Sequence, residues 1–220
     1  MKQFFIELVD NFSYIRWPIY LTLALLIVLG VALLTLSTKV KWNARMLAVG
    51  AICIALSFVL SYVRLYHMPQ GGSITLCSML PVMMFAFAYG IGPGLICALA
   101  YSFLQMFQDM YFLNVWQVLL DYPLAFSALG LTGLFSKNKA SWSFPVGVIV
   151  ASAVRIAMHV FSGVVFFAEY AEGSGHGPLV YSLIYNLSSV GVDGLICAVV
   201  AFIPGVQHML KRTMLSNKAA

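Results

Sequence analysis

Residues 181–193 read YSLIYNLSSVGVD, and this stretch decides the fold. It opens a long apolar run, yet it carries Tyr181, Tyr185, Asn186, Ser188, Ser189 and Asp193. A helix in lipid satisfies its own backbone, but polar side chains on it are costly unless they face protein, water or a ligand. Tyr181, Tyr185, Ser188 and Ser189 recur every three to four residues, so they are expected on one helical face. Asn186 sits beside that face. The pattern predicts a membrane helix turned inward onto a polar site, with the other apolar runs arranged around it.

Composition agrees with that reading. The 220-residue chain is 62% hydrophobic and 9% charged, whereas soluble domains carry about 25% charged residues. With about 20 residues per span, the length is filled by six or seven helices and leaves no sizeable soluble domain. Apolar runs predict spans over 17–38, 45–64, 75–89, 94–108, 115–135, 143–168 and 179–208. Residues 1–16 read as an interfacial helix with Phe4, Phe5, Leu8 and Phe12 toward lipid. Residues 65–74 read as an external loop, 75–89 as a short helix interrupted by Pro81, and YGIGPG (89–94) as a tight cytoplasmic turn.

The net charge of +5 is less informative than its placement. Lys39, Lys41 and Arg45, then Lys137 and Lys139, then Lys211, Arg212 and Lys218 all fall on one side of this topology. Basic clusters mark cytoplasmic ends, which puts the N-terminus outside and the C-terminus in the cytoplasm. No basic face suited to nucleic acid is present. Cys53, Cys77, Cys97 and Cys197 are scattered without CxxC spacing and read as small buried hydrophobes rather than a metal site. No cofactor is expected.

Four ionisable side chains lie well inside the predicted spans: Asp121, Arg155, His159 and Asp193. Arg155 and Asp193 sit at matching depths on consecutive antiparallel helices, about 20 Å below the external surface at 1.5 Å per residue. That geometry predicts a structural ion pair fixing the register of the last two helices. Asp121, His159, Asn186 and Tyr185 are shallower, about 9–14 Å down, on three different helices. Together they predict a pocket open to the outside. Tyr111, Trp116, Tyr122, Phe166, Phe167, Tyr170, Tyr181 and Tyr185 lie at the same level. A carboxylate among aromatic faces suits a flat cation or a protonatable heterocycle.

The residues quoted so far, with GGSITLCSMLP (71–81), QVLLDYPLAFSALGLTG (117–133), RIAMHVFSGVVFFAEYA (155–171) and GPLVYSLIYN (177–186), resemble a known family. The chain is similar over about residues 44–212 to the thiamine-specific substrate-binding subunits, or S-components, of energy-coupling factor (ECF) transporters. The resemblance implies an all-α membrane bundle, with a six-helix core over 44–220 and one extra helix within 1–43. It implies that the pocket carboxylate is Asp121, the pocket histidine His159 and the ring-stacking aromatic Phe167. Tyr181, Asn186 and Tyr111 would complete the site, and a loop near residues 66–74 would act as a lid. Ala51 and Ala55 match the family's AxxxA docking motif and belong to a stripe with Ala44 and Ala48, spaced to admit another helix closely. The pattern departs from the family in three places. Asp121 is one methylene shorter than glutamate, Phe167 replaces a tryptophan, and the lid has none.

The expected function is capture of thiamine by a multi-pass subunit in a prokaryotic cell membrane. Without a GxxxxGK[ST] loop, ATP hydrolysis would fall to partners, which the resemblance implies are a transmembrane coupling subunit and two ATPases. One alternative is an S-component for a related pyrimidine, thiazole or other vitamin. Another is a proton-coupled secondary transporter of a small heterocyclic cation using Asp121 and His159, although no two related halves are apparent. An intramembrane enzyme has neither HExxH nor GxSxG in its favour.

Overall fold

The computed structural model describes residues 16–69, 71–137 and 141–218. In chain order the elements are α1 (Arg16–Ser37), α2 (Ala44–Ser61), a hairpin of β1 (Arg64–His67) and β2 (Ser73–Thr75), and the short α3 (Leu80–Tyr89). Then come α4 (Ile91–Asp109), α5 (Val115–Phe135), α6 (Ser143–Phe166), α7 (Pro178–Ala201) and α8 (Pro204–Lys218). Six of these helices are long and apolar enough to cross a membrane: α1, α2, α4, α5, α6 and α7. The expected interfacial helix at the N-terminus lies outside the described residues.

Local chemistry sets the boundaries. Asn43 caps α2, its Oδ1 accepting from the Met46 N–H at 2.8 Å. Asn114 caps α5 in the same way, accepting from the Gln117 N–H at 2.9 Å. The predicted turn over 89–94 shrinks to one residue. Gly90 adopts φ +92° and α4 begins at once, a backbone angle that glycine tolerates at no steric cost. The run predicted over 179–208 is broken after Ala201, and Pro204 opens α8 as a separate helix.

The span predicted over 75–89 is corrected. Pro81 does not interrupt a helix but sits in the first turn of α3, where a missing N–H costs nothing. The ten residues of α3 reach only about 15 Å, half of a hydrocarbon core. The rest of that passage is the end of β2 and a turn over 76–79. Non-helical backbone survives at such depth only inside protein or along a cavity. Leu80, Pro81, Val82, Met83, Phe85, Ala86, Phe87 and Ala88 are accordingly all buried. α3 is the centre of the core, packed by α2, α4, α5 and α8.

α5 and α7 are not uniform. Leu120–Leu124 and Leu187–Gly191 are π-helical turns, with Pro123 inside the first. Each is a local π-bulge in an otherwise continuous span. Ser188, expected on the inward face, is exposed and bonds to its own helix, Oγ to the Tyr185 carbonyl at 2.9 Å. Ser182, Asn186, Ser189 and Asp193 are the buried polar set instead.

Candidate functional site

The hairpin, the α4–α5 loop and the α6–α7 loop meet at one end of the bundle. The Gly72 N–H points at Tyr185 Oη at 3.5 Å, and Tyr111 Oη lies 2.7 Å from Tyr170 Oη. Beneath them is a cavity of about 170 Å³. Tyr111, Asp121, His159, Phe167, Tyr181, Tyr185 and Asn186, the seven residues singled out from sequence, all line it. So do Arg155 and Asp193. The two depth layers expected from the sequence are therefore parts of one cavity.

Asp121 is carried on the π turn of α5. Its Oδ2 accepts from Gln117 Nε2 at 2.6 Å and from Ser162 Oγ at 2.9 Å. Its Oδ1 lies 3.0 Å from His159 Nδ1. Arg155 Nε donates to His159 Nε2 at 3.4 Å, so the imidazole accepts at Nε2 and carries its proton on Nδ1, toward the carboxylate. Asp121 is thus held by groups from α5 and α6 while remaining part of the cavity wall. A carboxylate fixed in this way presents negative charge to whatever enters.

Aromatic rings surround that charge. Phe167 lies 5.7 Å from Tyr111 and 5.9 Å from Tyr170, ring centre to ring centre. Tyr181 and Tyr185 stack at 6.4 Å on the opposite helix. The hydrogen bond to Tyr111 pushes the Tyr170 phenol up from its ordinary value. Asn186 is buried, with Nδ2 donating to the Ser182 carbonyl at 2.9 Å. Ser182 Oγ in turn donates to the Val160 carbonyl at 3.0 Å. Gly163 faces Ser182 so closely that a Cβ there would overlap the serine hydroxyl. This close approach brings α7 onto α6 and sets the width of the site.

The expected Arg155–Asp193 ion pair is corrected. Arg155 stacks its guanidinium 3.9 Å above the Phe126 ring and directs Nη1 at Met79 Sδ, 2.6 Å away. Asp193 Oδ2 accepts from Thr75 Oγ1 at 2.9 Å, and its buried Oδ1 has no hydrogen-bond partner. Equal depth brings the two residues to one cavity, where their charges attract, but among the described residues they form no direct salt bridge. The sequence could not show that β2 and the start of α3 pass through that level and supply Thr75 and Met79 as partners.

Other lining residues escaped the sequence reading. Gln117 and Ser162 are one helical turn from Asp121 and His159, at i−4 and i+3, a spacing that signals a shared face. Gly71 and Gly72 belong to the loop read as a lid, whereas Thr75, Ser78 and Tyr101 carry no comparable signal, since they reach the cavity only through the re-entrant segment and the core. Among the described residues no cluster of three or more His, Cys, Asp or Glu could hold a metal ion.

Comparison with known proteins follows the same outline. The sequence model of the family described as thiamine transporter protein (Thia_YuaJ) matches residues 47–212. The chain is 34% identical over 164 residues to the thiamine transporter ThiT of Bacillus subtilis, covering 68% of this chain and 84% of that one. It is 30% identical over 152 residues to ThiT of Lacticaseibacillus paracasei, covering 62% and 74%. The solved structure of ThiT from Listeria monocytogenes superposes with a TM-score of 0.62 at 27% identity, covering 75% of this chain and 99% of that chain. The cavity and its fixed carboxylate thus lie on a fold similar to that of the Listeria structure, and the chain belongs to the thiamine transporter protein family.

Proposed function

We propose that the chain captures thiamine in the cavity beneath the hairpin and hands it to a separate ATP-driven module. The observation that carries this reading is the Asp121 carboxylate, held by Gln117, Ser162 and His159 within a ring of aromatic side chains. Thiamine joins a permanently cationic thiazolium to a hydrogen-bonding aminopyrimidine. Asp121 balances the cation, and Phe167 and Tyr111 offer faces for stacking and cation–π attraction. His159, Tyr181, Tyr185 and Asn186 supply polar contacts. The unit that does this is residues 44–220, and residues 1–43 are an addition to it.

The S-component reading also implies where the protein works. The chain is a subunit of an ECF importer in a prokaryotic cell membrane, with its C-terminus and basic clusters in the cytoplasm. A transmembrane coupling subunit and two ATPases supply the energy. Ala51 and Ala55 support a docking surface on α2, because both are exposed on the outward face of that helix. The chain itself is a binder rather than an enzyme.

Calorimetric titration of the purified chain with thiamine, beside Asp121→Asn and His159→Ala, tests the proposal. Tight one-to-one binding, weakened in both variants, is expected. A folded chain that leaves thiamine unbound refutes the ligand assignment. The Asp121–His159 contact also suits a proton relay, so uptake by the chain alone, driven by a pH gradient, would favour the secondary-transporter reading instead.

A further inference from the structure

The family match begins at residue 47, so α1 lies outside it and its role has to be read from what it touches. α1 packs along α4 and reaches the first turns of α5, including the π turn Leu120–Leu124 that carries Asp121. Its direction is fixed at the far end. A Cβ on Gly92 would lie 2.9 Å from the Leu36 carbonyl oxygen and 3.2 Å from the Val40 side chain. The end of α1 is therefore seated on the start of α4, and its beginning lies at the hairpin end, beside α5.

Burial along α1 follows that geometry. Its buried side chains, among those described, are Pro18, Ile19 and Thr22, all in its first two turns. Ile19 is 2% exposed and Thr22 fully buried, whereas only 11% of the span as a whole is buried. The opposing surface needs such cover. In the Leu120–Leu124 turn the regular hydrogen-bond ladder is interrupted and Pro123 donates no N–H. Ser127 Oγ donates to the Pro123 carbonyl, at 2.5 Å. Irregular backbone facing lipid is unfavourable unless protein covers it. α5 is 67% buried, the highest of the six long helices.

We infer that α1 is a positioning element for the binding site: Ile19 and Thr22 brace the π turn of α5 and so hold the Asp121 carboxylate where it meets a cationic ligand. The inference rests on the reading of Asp121 as the ligand's counter-charge. It assigns ligand affinity to a helix that touches no ligand, and it treats Ile19 and Thr22 as positioning residues.

A double-mutant cycle on the full-length chain tests it, with calorimetric titration of thiamine as the readout. Ile19→Ala is expected to raise Kd about tenfold, within the usual range of coupling between residues in one packed network. Ile19→Val should restore most of the loss. Gly30→Leu should change nothing, since a Cβ at Gly30 meets no atom within 4 Å. The decisive comparison is Ile19→Ala in an Asp121→Asn background. If α1 acts through the carboxylate, the tenfold effect shrinks there to about twofold or less. An equal loss in both backgrounds, or no loss in either, overturns the inference and leaves α1 a plain anchor. If Ile19→Ala does not fold, Thr22→Ala deletes less at the same contact and carries the same cycle with the same outcomes. A folded wild-type chain that does not bind thiamine overturns the ligand reading together with this one. Wild-type binding with indifferent Ile19 variants overturns this one alone.

Discussion

Asp121 accepts from Gln117, Ser162 and His159 at 2.6–3.0 Å, so its carboxylate is oriented before any ligand arrives. Gln117 is held at both ends of its side-chain amide. It is 1% exposed, and its Oε1 accepts from the Leu113 N–H at 3.2 Å while its Nε2 holds Asp121. Each end of that amide therefore has a partner, and the carboxylate is tied through it to the start of α5. Two substitutions should separate the charge from its support. Asp121→Asn removes the charge and is expected to weaken thiamine binding by about 2 kcal/mol, the size of one charge-assisted hydrogen bond, or roughly thirtyfold in Kd. Gln117→Leu keeps the charge but frees it to move, and should cost about 1 kcal/mol. Calorimetry on both variants checks the ranking, and a larger loss for Gln117→Leu would mean that the charge is not the main contact. Both Gln117 and Ser162 were within reach of sequence reasoning, because i−4 and i+3 neighbours of a buried ionisable residue are its natural partners. Thr75 was not, because its role comes from a chain segment with no helical period.

At the scale of elements, the site depends on how closely α6 and α7 approach. Gly163 gives up its side chain so that Ser182 can lie against the α6 backbone and bond to the Val160 carbonyl at 3.0 Å. Gly163→Ala is expected to push the two helices apart and lower stability by about 1–3 kcal/mol, as overpacking of a full contact does. Ser182→Gly in the same chain should recover most of that loss, and thermal melting of the two variants in detergent checks it. A Gly163→Ala chain that melts like wild type would show that the contact has slack. The six long helices were legible in the sequence because each is an apolar run of sufficient length. The hairpin and the two π turns were not, and α3 was read as a short helix but with its bounds and its proline misplaced. A re-entrant segment has neither the length nor the period of a span, and Pro81 reads as an interruption although it starts a helix. A π turn leaves no mark in composition, and the polar face of α7 was drawn through both Ser188 and Ser189, of which only Ser189 is buried. The same blindness produced the Arg155–Asp193 pair, since depth along two helices gives height but not the chain that passes between them.

At the scale of the molecule, capture and delivery use different surfaces. The cavity lies under the hairpin, whereas Ala44, Ala48, Ala51 and Ala55 form an exposed stripe on α2, opposite its buried residues Met46, Gly50, Ser57 and Ser61. α1 packs on α4 and α5 and leaves the stripe open. Small side chains let a second helix come close in lipid, where the gain is van der Waals contact rather than hydrophobic burial. One large side chain on such a stripe holds the partner off without reaching the cavity. Ala51→Trp with Ala55→Trp is therefore expected to bind thiamine with wild-type affinity in the purified chain. Cells or proteoliposomes that also contain the coupling subunit and ATPases should then lose thiamine uptake with this variant. Binding and uptake falling together would place the stripe within the capture step, and uptake at the wild-type rate would move the docking surface to another face of the bundle. The expected result, binding retained and transport lost, follows from one physical point. The stripe tolerates bulk in an isolated chain because it faces lipid, and refuses it only when a partner must lie against it.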